Sequence, residues 1–321
     1  MSRSPRVVVI GSANVDVLCN VPRLPAEGET LTAERMTLAP GGKGLNQAVS
    51  ARRSGAVVDL IASLGDDALG RDIRTWMRNA GVGDGGVIHN PAPTGTAVVL
   101  VEPDASNRIV VGAGANAQLG AEHVASALSA LTEVDCVVSC CEVGDDAITS
   151  GFRLAKREGA TTVLNPSPFR PSAVALFELS DWAVLNEVEF RSAFDEEPTA
   201  EHMVAAAAAW DLGLVVTAGE AGATLVRDDL VEFCPAPVVQ AVDTTGAGDA
   251  FLGAFACALA AGEEPSAALR AGVAAGSRCV ETEGAQLGPA QGFHAPPQQA
   301  VPLTSYAQRP AHLHPSRSSH A

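Results

Sequence analysis

Arg6-Val7-Val8-Val9-Ile10-Gly11-Ser12-Ala13-Asn14-Val15-Asp16 reads as a short buried strand that stops on a glycine and turns into polar residues. An unbroken run of β-branched residues bounded by turn chemistry suits a parallel strand covered on both faces. The polar residues behind it lie where open α/β sheets bind ligands, beyond the strand's carboxyl end. Outward from this stretch the pattern repeats. Apolar runs at 7–10, 57–62, 134–139, 161–164, 182–185 and 214–217 predict buried strands, and Ala-rich periodic stretches at 43–54, 68–80, 145–157, 201–211, 247–261 and 265–280 predict helices. The alternation predicts an α/β fold with a doubly wound central sheet flanked by helices. Two stretches, 15–38 and 94–111, are strand-like and hairpin-rich, with no helix directly behind them. They predict a small separate β-sheet, a lid over a ligand cleft, with an antiparallel edge to the main sheet as the other arrangement.

The chain has 321 residues, of which 47% are hydrophobic, enough to bury a self-sufficient core. Its net charge of -16 argues against nucleic-acid or anionic-membrane partners, which such a chain repels at long range. Lys43 and Lys156 are the only lysines, so a phosphorylated ligand has to be met by backbone amides and helix N-termini rather than by a lysine cluster. The seven cysteines contain no C-x-x-C pair, which predicts free thiols in a reducing cytoplasm. No signal peptide and no membrane span is read from the sequence.

Three segments carry chemistry. In Val242-Asp243-Thr244-Thr245-Gly246-Ala247-Gly248-Asp249-Ala250-Phe251, small residues at the start of an apolar helix let consecutive amides point at one spot, an anion hole at Gly246, Ala247 and Gly248. Phosphoryl transfer needs donors already in place for its equatorial oxygens, and Asp249 beside them is a candidate base for an attacking hydroxyl. The plainer reading makes Asp249 the cap of that helix. Asp243 has no such capping role and is suited to binding a cation or ordering the loop.

Pro40-Gly41-Gly42-Lys43-Gly44-Leu45-Asn46-Gln47-Ala48 is not a Walker A loop, because Lys43 is followed by glycine rather than by a hydroxyl residue. Its glycines allow close backbone approach, and Lys43 and Asn46 offer donors one helical turn apart. Asn14 and Asp16 alternate along an extended segment and so share a face, a clamp for vicinal hydroxyls.

Taken in order, these segments resemble the ribokinase family of carbohydrate kinases, from about Val7 to Gln286. The resemblance implies one kinase domain over residues 1–291, with lid strands within 13–40 and 94–112, and a poorly ordered tail over 292–321. It implies transfer of phosphate from ATP to D-ribose, giving D-ribose 5-phosphate, and a homodimer formed through the lid. Asn14, Asp16, Gly42, Lys43, Asn46 and Glu142 would hold the sugar. Asn165, in an Asn-Pro segment, has a role that is structural or near the phosphates. Asn186 and Glu189 form an Asn-x-x-Glu motif associated with phosphate and Mg2+. Thr217, Gly219 and Gly222 lie in a loop expected along the nucleotide, with Val273 near the adenine in place of a more usual polar residue.

A K+ ion is implied beside the anion hole, held by Asp243, Thr245, Cys279, Thr282, Gly284 and Gly288, largely through carbonyls, as suits a hard cation. Gly288 stands where serine is common, and the chain after Gln286 turns Pro-rich where the family has a final strand and helix. A kinase of the same fold acting on deoxyribose, a nucleoside or another furanose is the nearest alternative. A non-catalytic sugar- or nucleotide-binding regulator is the second.

Overall fold

The computed structural model describes residues 3–103, 106–282 and 284–285. In chain order its strands are β1 (Arg6–Ile10), β2 (Asn14–Asn20), β3 (Arg35–Gly41), β4 (Val57–Gly65), β5 (Gly83–Asn90), β6 (Gly95–Val101), β7 (Asn107–Gly112), β8 (Cys136–Cys140), β9 (Thr161–Asn165), β10 (Trp182–Asn186), β11 (Gly213–Thr217), β12 (Gly222–Arg227) and β13 (Leu230–Pro235). The helices are α1 (Lys43–Arg53), α2 (Ala68–Asn79), α3 (Ala121–Ser129), α4 (Asp145–Arg157), α5 (Glu187–Phe194), α6 (Ala200–Trp210), α7 (Ala247–Ala260) and α8 (Pro265–Cys279).

Nine strands form one sheet in the order β13-β12-β11-β10-β9-β8-β1-β4-β5. All neighbouring pairs from β11 across to β5 are parallel, while β12 and β13 return antiparallel at one edge. The first strand thus lies inside the sheet, and the chain winds away from it in both directions. The point of reversal, between β1 and β8, opens a crevice at the strands' carboxyl ends.

Strand alternation divides the core. Val7 and Val9 of β1 face a cluster completed by residues of α1, α2, α7 and α8, whereas Val8 and Ile10 face one completed by α3, α4, α5 and α6. Both faces of the parallel strands are therefore covered, as their unbroken apolar runs require.

The two hairpin-rich stretches form the predicted small sheet, in the order β3-β2-β6-β7, separate from the main one. Two details differ from the sequence reading. First, β3 is followed after a single residue, Gly42, by α1, so one small-sheet strand feeds directly into the body. Gly42 has φ 92, a turn angle that glycine tolerates and other residues resist. Second, an antiparallel edge does exist, but it is made by β12 and β13. The half-exposed pattern of β13 and the glycine-rich Gly83-Asp84-Gly85-Gly86 start of β5 gave no apolar run from which to predict those strands.

Helices α1 and α7 pack closely beside this crevice. The closest approach is at Gly253 of α7, where a Cβ would lie 2.5 Å from the Gln47 carbonyl oxygen and 2.6 Å from the Ala51 amide nitrogen of α1. A second close approach seats α1 on β1: a Cβ on Gly44 would lie 2.6 Å from the Gly11 backbone. Replacing Gly253 by alanine gains about 1 kcal/mol of helix propensity, but overpacking against rigid backbone costs about 1–3 kcal/mol. Gly253→Ala is expected to lower the urea midpoint of unfolding, and an unchanged or raised midpoint would show that the helices part without cost.

Candidate active site

The carboxyl ends of the parallel strands gather most of the polar residues singled out above. Ser12 follows β1, Glu142 follows β8, and Asn165, Asn186 and Thr217 are the last residues of β9, β10 and β11. Into the same region project the starts of α1, with Lys43, Asn46 and Gln47, and of α7, with Asp249.

Asp249 is buried and lies in the first turn of α7. It is not the helix cap. That position is Gly246, whose left-handed φ of 77 and tight packing against Ala285 leave no room for a side chain. Both oxygens of Asp249 accept amide hydrogen bonds from α1: Asn46 Nδ2 donates to Oδ2 at 3.1 Å, and Gln47 Nε2 donates to Oδ1 at 3.0 Å.

Glu142 is fixed with equal care. One of its oxygens, Oε2, accepts a short hydrogen bond from the Ser12 hydroxyl and another from the Lys43 amide at 3.0 Å. Arg170 grips the loop on either side, donating to the carbonyls of Cys141 and Val143 while paired with Asp145.

Asn14 and Asp16 lie two residues apart on β2, as the alternation implied. Asn14 Oδ1 accepts from Asn116 Nδ2 at 2.7 Å, and Asn116 Oδ1 accepts from the Ala13 amide. Gly95, opposite Asn14, makes space for this pair, because a Cβ there would lie 2.3 Å from both amide side chains. Gly41 likewise leaves room for Asp16, whose carboxylate would be 2.0 Å from a Cβ at that position.

Three carboxylates, Asp16, Glu142 and Asp249, thus share the region with one ammonium. Burial first, and then the charges of Glu142 and Asp249, push the Asp16 carboxyl up to about 7. The Lys43 ammonium is held above its ordinary range chiefly by Asp249, with Glu142 assisting and burial opposing.

Beside this polar cup runs a cleft of about 770 Å³, within the range of small-molecule sites. Thr217, Gly219, Gly222 and Val273 line it, as do Ala247 and Gly248 at the start of α7. Its lining also includes Phe251, Val238, Val239 and Val280, so much of it is apolar. Gly248 meets the cleft as the anion-hole reading requires, but the Ala247 amide donates to the Thr244 carbonyl at 3.3 Å.

Asn186 and Glu189 make a reciprocal capping box at the start of α5: Asn186 Oδ1 accepts from the Glu189 amide at 2.8 Å, and Glu189 Oε2 accepts from the Asn186 amide at 2.9 Å. Asp243 orders two loops at once, its oxygens accepting the amides of Thr245 and Gly284, each at 2.9 Å. Burial opposes ionisation of Asp243, yet these hydrogen bonds hold its carboxyl below the usual carboxylate range. The Cys279 thiol is within 3.7 Å of the carbonyls of Thr245 and Ala285, and the Thr282 hydroxyl donates to the Cys279 carbonyl. Gly288 and the tail over 292–321 lie outside the described residues.

Ser12, Gln47, Asn116 and Arg170 were not singled out from sequence. Gln47 stood inside the quoted glycine-rich segment, but its partner is 202 residues away in the chain. Nothing local marks Asn116 or Arg170.

The model of the pfkB family of carbohydrate kinases matches residues 4–291. The chain belongs to this family. It is 33% identical over 287 residues to a ribokinase of Haemophilus influenzae, covering 87% of this chain and 94% of that protein. It is equally 33% identical over 287 residues to a deoxyribokinase of Salmonella typhi, again covering 87% and 94% of the two chains. Among solved structures, the ribokinase of Arabidopsis thaliana complexed with ribose and ATP superposes with a TM-score of 0.79 at 30% identity, covering 88% of this chain and 95% of that one. The pfkB family assignment, with a large sheet flanked by helices and a small second sheet, agrees with the resemblance read from the motifs.

The raised Asp16 carboxyl has a consequence for stability. Between its ordinary value and about 7 the folded chain keeps a proton that the unfolded chain releases, so folding loses stability as pH rises through that window. Asp16→Asn is expected to remove this loss in the ligand-free protein. The variant's melting temperature should gain on the parent's as pH goes from 4 to 7, and parallel curves would remove the proposed burial effect.

Proposed function

We propose that the chain phosphorylates D-ribose at O5 with ATP, and that Asp249 is the base. The observation that carries this reading is the place of Asp249. Its buried carboxylate lies between a cup of sugar-suited groups and a nucleotide-sized cleft, and both its oxygens are aimed by amide donors. Asn14, Asp16, Lys43, Asn46 and Glu142, with the Gly42 backbone, hold the hydroxyls of the pentose. Asp249 takes the O5 proton as O5 bonds to the γ-phosphorus, and the bond from that phosphorus to the β–γ bridging oxygen breaks, releasing ADP. The first turn of α7 at Gly246, Ala247 and Gly248 meets the charge on the transferring group with backbone dipoles.

The adenine fits the apolar end of the cleft near Val273, with Thr217, Gly219 and Gly222 along the nucleotide. Mg2+, which neutralises phosphate charge when bound, would be held by the phosphates and water with help from Glu189. A carboxylate with one oxygen already taken by the Asn186 amide suits such partial duty. A K+ ion beside the first turn of α7 would be held by oxygens of Asp243, Thr245, Cys279, Thr282 and Gly284, with Gly288 as a further contact in the family pattern; Asp243 supports this by ordering the loops of Thr245 and Gly284. The seven cysteines, all free, suit a reducing cytoplasm.

ADP release should be seen with ribose in the presence of ATP, Mg2+ and K+. Asp249→Asn is expected to lower turnover by at least ~10²-fold with far less effect on ribose affinity. Turnover restricted to deoxyribose, the substrate named by the Salmonella relative, would keep the mechanism and change the acceptor. Intact sugar binding without turnover on any furanose or nucleoside would favour a regulator.

The small sheet supports a homodimer. Met36, Val98, Ile109, Val110 and Val111 are exposed on it, with Val98 directly opposite Val110, an apolar concentration that water disfavours. Val110→Asp is expected to convert a dimer to a monomer in sedimentation experiments. A parent protein that sediments as a monomer at every concentration would remove this assembly.

A further inference from the structure

We propose that Gln47 is a positioning residue that selects which oxygen of Asp249 receives the sugar proton. The inference rests on Asp249 acting as the base, and extends it to the groups behind that base. Gln47 is fully buried, and its Nε2 lies 3.0 Å from Asp249 Oδ1. The same nitrogen reaches Asn165 Oδ1 at 3.4 Å, and Asn165 Nδ2 in turn donates to the Val184 carbonyl at 2.9 Å. An amide side chain can be turned over, but here the rail fixes its sense. The Val184 carbonyl can only accept, so Asn165 must present its nitrogen to β10 and its oxygen to Gln47. Gln47 must then present its nitrogen, which leaves that donor for Asp249.

The Gln47 oxygen, Oε1, is buried with no partner among the described residues. An orphaned acceptor in a folded core is a cost of about 1–3 kcal/mol in general, and turning the amide to relieve it would set oxygen against the Asp249 carboxylate. The orientation is therefore held by Asn165 at the expense of that oxygen. Oδ1 of Asp249 is occupied from behind, by a residue that takes no part in sugar recognition. Oδ2 accepts from Asn46, a residue of the sugar cup, and so is the oxygen on the side from which O5 delivers its proton.

The other charged and titratable groups around Asp249 among the described residues include Lys43 from α1, Asp16 from β2, Glu142 and Cys140 at the end of β8, and Cys279 from α8. Each acts on Asp249 through charge rather than through a hydrogen bond that distinguishes its two oxygens. Gln47 and Asn46 alone make that distinction among the described contacts.

The test is a double-mutant cycle read by steady-state kinetics. Gln47→Met keeps the length and burial of the side chain but removes the donor. It is expected to lower kcat by ~10-fold or more while the KM values for ribose and ATP change less than ~3-fold, since the base is present but misaimed. The acid limb of the kcat–pH profile should move, which a general loosening of the fold would not cause. Asn165→Ala should lower kcat by a smaller factor, and adding it to Gln47→Met should change nothing further, because Asn165 acts through Gln47. Full kcat in Gln47→Met, an equal change in KM, or additive losses in the double variant would each overturn the proposal. Asp249→Asn, measured alongside, separates the two readings. If that variant turns over normally, the base assignment falls. If it is inactive while Gln47→Met is not, only the rail falls.

Discussion

The close approach of α1 to α7 is the constraint on which the rest of the site depends. Gly253 allows the two helices to touch backbone to side-chain base, and Gly44 seats the start of α1 on the end of β1. Neither glycine touches a ligand in the proposed mechanism. Together they bring two helix N-termini to one end of a parallel sheet, so that a carboxylate carried on one helix is aimed by amides carried on the other. The separation in sequence between Asn46 or Gln47 and Asp249 exceeds two hundred residues, and only packing closes it. Precision in such a site comes from rigid elements whose contact distance is set by the absence of a side chain, more than from any strong pairwise bond.

The same arrangement explains how so acidic a chain can handle a polyphosphate. With a net charge of -16 and, of the two lysines, only Lys43 near the cup, attraction at long range is lacking. Charge must be met at short range by oriented dipoles, and α7 supplies its first turn where the cleft meets the cup. Lys43 itself faces Asp249 and Glu142, whose charges hold its ammonium above the ordinary range against the cost of burial. Acid groups this crowded remain usable because each is held differently. Glu142 is fixed by Ser12 and a backbone amide, Asp249 by two side-chain amides, and Asp16 is left to burial and repulsion.

Much of this was legible in sequence, and what was not has a physical reason. The unbroken Val7–Ile10 run carries its own burial on both faces, and the Gly246–Asp249 stretch carries a helix start and its acid within one turn, so periodicity and turn chemistry suffice to read both. The plainer reading of Asp249 as a cap fails because Gly246 takes the cap position with a left-handed φ. Long-range partners left no trace. Asn116 clamps Asn14 from 102 residues away, and Arg170 steadies Glu142 by gripping carbonyls on either side of it, a contact that depends on no side-chain pairing a sequence could display. The apolar lining supplied by Val238, Val239 and Val280 follows no motif, because many residue combinations make apolar surface. The edge strand β13 escaped because it is largely exposed and lacks the apolar run that marks a central strand.

A buried amide with an unsatisfied oxygen is costly and persists only where something else requires its orientation, and Gln47 shows what that requirement is. The Val184 carbonyl lies in β10, in the middle of the parallel sheet, and cannot change its role as an acceptor. Its demand passes through Asn165 to Gln47 and ends on one oxygen of Asp249. A backbone group in the sheet thus sets the polarity of a side-chain chain that terminates at Asp249. The sheet contributes more than a platform: by fixing which atoms donate, it makes the two oxygens of one carboxylate inequivalent. One oxygen of Asp249 thus answers to Asn46 on the side of the cup, and the other to Gln47, whose donor the sheet has fixed.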